Sequence, residues 1–177
     1  MAALPRWLWR ALVGGLMLGL LAGALLFVQV PILTVEDVKA NRRLVAVPVL
    51  AGDHFVLSYR HSVTQGIVSG TFAVEEDGSL AIIETTFGSP GPGLPIPRPG
   101  EDYEISGGII RYRTDQRLSE FSVFIHPFTE HVLAVKGRSL DLSREVAPGA
   151  LVKIRLQRQS LLWQWVQKIG AVLSRAR

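Results

Sequence analysis

The chain has no cysteine among its 177 residues. That excludes disulfides, thiolate metal sites, a cysteine nucleophile and a lipid-anchoring cysteine. Signatures of common enzyme chemistry are missing as well. No Gly-x-Ser-x-Gly elbow occurs, since Gly66-Ile67-Val68-Ser69-Gly70 has the wrong spacing. No glycine-rich stretch ends in Gly-Lys-Ser/Thr and opens a helix, so nothing cradles a phosphate in P-loop fashion. Charge is missing from Ala11 to Val35, and no acid follows Glu145.

What charge there is has a pattern. Residues 1–43 carry five basic and two acidic side chains, residues 44–145 eight and thirteen, and residues 146–177 six and none. An acidic body thus lies between two basic ends, with a net charge of +4. Because the positive charge adjoins apolar segments, it points to a membrane surface and not to nucleic acid.

Arg6 and Arg10 precede an unbroken apolar and glycine stretch, Ala11–Val28, and Glu36 and Asp37 follow. A membrane-spanning helix needs about 20 such residues. The expectation is a cytoplasmic N-terminus over 1–10 and a single-pass transmembrane anchor over 11–35. The body then lies on the periplasmic or extracellular side of a bacterial inner membrane. Lys39, Arg42 and Arg43 weaken the charge bias behind that orientation. The alternative is a cleaved signal peptide, whose small-x-small site would be Ala22-Gly23-Ala24. Gly15, Gly19 and Gly23 form a double GxxxG that suits packing against another membrane helix.

Residues 44–156 show period-two patterning and frequent turn signals, with no long helical repeat. Phe55, Leu57, Tyr59, His61 and Val63 alternate with Val56, Ser58, Arg60 and Ser62. Asp77-Gly78 reads as a two-residue hairpin turn. About eight short strands are expected, packed as an antiparallel β-sandwich or small barrel. Residues 88–100 hold five prolines and four glycines and cannot pair as a central strand. They read as a semi-rigid surface loop, either functional or a crossover between sheets. Over 160–175, Leu161, Leu162, Trp165, Val166, Ile169, Val172 and Leu173 recur at helical spacing, with Gln164, Gln167, Lys168 and Arg175 opposite. This predicts a C-terminal amphipathic helix that lies on a membrane or partner, or docks on the sheet.

Little of the polar inventory supports catalysis. On a strand His61 and Ser62 point to opposite faces and cannot form a nucleophile–base pair. His61 shares a face with Phe55, Leu57 and Tyr59, so it is either a hydrogen-bonded core histidine or a ligand contact. Glu84 shares a face with Leu80 and Ile82 and is a candidate partner for it if that face points inward, while Ala81, Ile83 and Phe87 support the opposite face equally. His126 and His131 flank Pro127-Phe128-Thr129-Glu130, but their spacing and strand–turn–strand context depart from helical zinc-protease motifs. No catalytic residue, metal or cofactor is expected.

One ordered set of motifs remains. Arg60-His61-Ser62-Val63 is followed by a hairpin, then Glu84-Thr85-Thr86-Phe87, then Gly91-Pro92-Gly93-Leu94-Pro95. The order resembles the DUF1850 family, small bacterial proteins with an HSV tripeptide, an ET-aromatic strand end and a GxGLP loop. Thr64, and Ser69 or Gly70, stand where that pattern commonly has acids. The resemblance implies a non-enzymatic accessory protein beside a TRAP transporter of the TAXI type, contacting its membrane subunits or its solute-binding protein. The alternative is a small-ligand-binding β-domain acting alone; a hydrolase is the weaker third reading. On either of the first two readings the candidate ligand or structural site is His61, Ser62, Glu84, Gly91, Gly93, Leu94 and Pro95.

Overall fold

A computed structural model describes residues 5–161. The described residues fall into two compact units, 5–30 with 158–161, and 31–157. In the first, α1 (Arg6–Phe27) opens without a side-chain cap or an acid in its first turn and closes with the Val28 amide donating to the Ala24 carbonyl at 2.9 Å. Among the described residues no helix is long and apolar enough to cross a membrane. The expected anchor over 11–35 is corrected accordingly. The helix stops at Phe27, and Gln29 already begins a strand. The uncharged helical part, Ala11–Phe27, spans only about 25 Å at about 1.5 Å per residue, short of a hydrocarbon core of about 30 Å. β11 (Ala150–Ser160) runs past the expected strand end at 156. Beyond it, the C-terminal amphipathic helix expected over 160–175 lies outside the described residues.

The second unit is mainly β, with two antiparallel sheets. Its strands are β1 (Gln29–Asp37), β2 (Arg42–Pro48), β3 (His54–Arg60), β4 (Ile67–Val74), β5 (Leu80–Phe87), β6 (Tyr103–Ser106), β7 (Ile109–Leu118), β8 (Glu120–Ile125), β9 (Val132–Val135), β10 (Arg138–Asp141) and β11. One sheet has the order β2-β1-β11-β8, the other β10-β9-β3-β4-β5-β7-β6. The body therefore begins near Pro31 and not at Leu44. β1 escapes sequence reading because its apolar residues continue the run of the preceding helix.

The two sheets share one core. Leu33, Val35, Val152 and Ile154 come from the four-stranded sheet, and Phe55, Leu57, Phe72, Leu80 and Leu133 from the seven-stranded one. Burying each such side chain is worth about 1.5–3 kcal/mol. Phe72 sits at the centre of a ring stack, 4.9 Å from Phe55 and 4.7 Å from Phe121 on β8, with planes within 7°. The stack links the sheets where the smaller one ends.

Two turns depart from the regular pattern. The 75–79 hairpin is a three-residue loop and not a two-residue one: Glu75 pairs with Ser79, and only Gly78 takes a positive φ, of 85°. Asp77 keeps an ordinary φ, and its carboxylate accepts from the Ser79 amide and hydroxyl at 2.8 and 2.6 Å. That closes a turn with a left-handed glycine bulge. Within β5, Thr71 pairs with Glu84 but Phe72 pairs with Ile82, leaving Ile83 as a bulge.

Candidate functional site

His61 lies just past the end of β3. The strand ends at Arg60, and residues 61–66 form the loop to β4, closed by His61 N–H to Gly66 O at 2.8 Å and Gln65 N–H to His61 O at 2.9 Å. The alternation expected through Val63 stops here; Val63 is exposed while His61 is 5% exposed. The imidazole Nδ1 accepts from the amides of Val63 and Thr64 at 3.3 and 3.2 Å. Nε2 therefore carries the hydrogen and donates to the Pro92 carbonyl at 3.0 Å. One side chain thus ties the HSV loop to the Pro/Gly loop. Ser62 is exposed, and its carbonyl accepts from the Gln65 side chain at 2.7 Å.

The Pro/Gly loop is shaped to receive that bond. Leu94 N–H donates to Gly91 O at 3.0 Å, and Gly93 has φ of 82°. Proline second and a positive-φ glycine third is the pattern of a type II turn. Gly91 has a separate reason to be glycine. A Cβ there would lie 3.0 Å from both His61 Cε1 and Thr64 Cγ2. Leu94 packs against Val68, Phe87 and Ile110 in a second small core. Each position of Gly91-Pro92-Gly93-Leu94 thus has its own physical role.

Glu84 does not meet His61. Its carboxylate faces Arg111 and Arg113 on β7 at 3.4 and 3.8 Å. The bulge at Ile83 is the cause: it resets the alternation, so that Leu80 and Ile82 point inward before it and Thr85 and Phe87 after it. Glu84 is thereby turned to the outer face, where exposed ion pairs contribute little.

Beside the Pro/Gly loop lies a cleft of about 470 Å³. It opens where the four-stranded sheet ends at β8 while the larger sheet continues. Leu57, Phe72, Ile82, Phe121 and Val123 form its apolar wall, and Gly93, Leu94 and Pro95 of the loop border it. Tyr59, Thr85, Tyr112, Thr114 and Gln116 add polar groups, and among the described residues no charged one lines it. Sequence reading pointed to the loop but not to Phe121, Val123 or Gln116, because nothing local reveals which strands the loop faces.

His126 and His131 serve structural roles. His126 Nδ1 caps the 3-10 turn Pro127–Thr129 by accepting from the Phe128 amide at 3.4 Å. His131 is buried, with Nδ1 2.9 Å from the Thr129 hydroxyl and its ring stacked on Tyr59 at 5.2 Å. The two histidines that bracket Glu130 thus serve a turn, and Glu130 pairs with Arg60 at 3.0 Å. Burial lowers the His131 pKa below its ordinary 6.5. Unfolding then takes up a proton as pH falls below about 6.5, so stability is full above that pH and declines as pH drops through it. Denaturant midpoints measured from pH 7.5 down to 5 should show a smaller decline for His131→Gln than for wild type; equal declines would contradict this assignment.

The family model described as "Domain of unknown function (DUF1850)" matches residues 55–142. The chain belongs to the DUF1850 family. The matched span runs from β3 through α2 (Leu142–Glu145) and includes His61, the Gly91–Pro95 turn and every residue lining the cleft. Of the three motifs named above, His61 joins the HSV and GxGLP loops, and the third ends β5. No curated protein and no solved structure gives a match.

Proposed function

We propose that the body of this DUF1850 protein is a non-catalytic domain that holds a small molecule in the cleft beside the Pro/Gly loop. On this reading the body is a β-sandwich left open along one side. The cleft carries the proposal: its volume of about 470 Å³ lies within the roughly 300–1,000 Å³ typical of small-molecule sites, with an apolar wall and a few polar groups. His61 supports a structural role at its rim, because both ring nitrogens are engaged by backbone groups. That leaves no free nitrogen to serve Ser62 as a base.

The test is a fluorescence titration of the full chain with N-phenyl-1-naphthylamine, an uncharged apolar probe. Wild type should bind it with enhanced emission. Val123→Trp, which fills the cleft from β8, should weaken the binding by about tenfold or more, about 1.4 kcal/mol. Equal binding by both proteins would contradict the proposal. A second reading rests on the family resemblance: an accessory at a membrane that contacts the membrane subunits or the solute-binding protein of a TRAP-type transporter. Co-purification of transporter subunits from native membranes supports it, and isolation of the chain alone counts against it.

A further inference from the structure

We infer that the cleft selects an uncharged amphiphile, an aliphatic chain or ring ending in a hydroxyl or carbonyl, over the corresponding carboxylate or ammonium ion. The inference rests on the ligand-binding reading above and concerns the chemical class of the ligand.

Most charged residues of the neighbouring strands are paired away from the cleft, and Asp115 on β7 is exposed and does not line it. Glu84 on β5 faces Arg111 and Arg113, Arg113 also pairs with Asp102 and Glu104, and Arg117 pairs with Glu75 and Asp77. None of these side chains lines the cleft. An ion placed there would lose hydration without gaining a counter-charge, which is among the costliest transfers in a protein interior. A neutral group carries no such penalty.

The wall is nevertheless not purely hydrocarbon. Tyr59, Thr85, Tyr112 and Gln116 line it, and among the described residues none of their side-chain polar groups has a hydrogen-bond partner. The Thr114 hydroxyl oxygen, by contrast, already accepts from the backbone N–H of Gln116 at 3.3 Å. Burial raises the pKa of Tyr59, so its phenol stays a neutral donor. A ligand that ends in a neutral hydroxyl or carbonyl satisfies these groups, and its apolar part covers Leu57, Phe72 and Phe121.

The experiment displaces N-phenyl-1-naphthylamine from the full chain at pH 8 with decanol, decanoate or decylammonium. Only the signal lost in Val123→Trp is counted, which removes binding to exposed apolar residues of α1. Decanol should displace the probe at concentrations about tenfold lower than either ion. Tyr59→Phe keeps the ring and removes the donor. It should weaken decanol by about threefold to tenfold once the displacement is corrected for the variant's own affinity for the probe. Displacement by decanoate or decylammonium equal to that by decanol would overturn the inference while leaving a binding site in place. So would unchanged decanol affinity in Tyr59→Phe. If no probe signal depends on Val123, the ligand-binding reading fails and the inference fails with it.

Discussion

Phe72→Ala should destabilise the body by about 3–5 kcal/mol, the usual cost of emptying a buried aromatic site. The residue is 7% exposed and stands between two rings, Phe55 on its own sheet and Phe121 on β8. Removing it leaves both neighbours without a stacking partner and merges the vacated space with the existing cleft. A water-filled opening of that kind cannot be closed by small shifts, because the flanking strands are fixed by their ladders. Phe72→Leu should cost less, since it restores part of the volume while losing the stack. Denaturant unfolding monitored by far-UV circular dichroism measures both. A loss below about 1 kcal/mol for the alanine variant would mean that the rings do not hold the two sheets together.

His61→Ala should cost about 1–3 kcal/mol, the penalty of leaving buried hydrogen-bonding groups unpaired. Three backbone groups lose their partner at once: the Pro92 carbonyl and the amides of Val63 and Thr64. The stability loss should be accompanied by a local effect. The Leu94 amide, bonded to Gly91 O in the loop turn, should exchange with solvent faster relative to amides in β4. Gly91→Ala should produce the same local loosening by a different route, since its Cβ would press on the His61 ring and Thr64. If both variants keep wild-type exchange at Leu94, the loop is held by something other than His61.

Much of this arrangement could be read from the chain, and the failures have definite causes. β3, β4 and β5 follow from alternation because one face is buried and the other wet. Pro92-Gly93 signals its turn through local backbone chemistry alone. His61 was legible as buried because it continues the inward face of Phe55 and Leu57, yet its partner was not. The partner is a backbone carbonyl 31 positions away, and a carbonyl carries no sequence signal. The face that Glu84 takes stays open in the sequence, because Leu80 and Ile82 argue for one side and Ala81, Ile83 and Phe87 for the other, and no residue announces the bulge at Ile83 that decides it. β1 was absorbed into a membrane span because Val30, Ile32, Leu33 and Val35 are as apolar in a buried strand as in a helix. Pro31, near the join between α1 and β1, was the available warning.

The central claim is that the space under the His61-anchored loop receives a small uncharged molecule. Methyl-labelled NMR of the full chain, titrated with decanol, tests it most directly by locating the contact. Chemical-shift changes should centre on Leu57, Val68, Ile82, Leu94 and Val123, which surround the cleft. Shifts confined to the exposed leucines of α1, with these methyls unmoved, would contradict it.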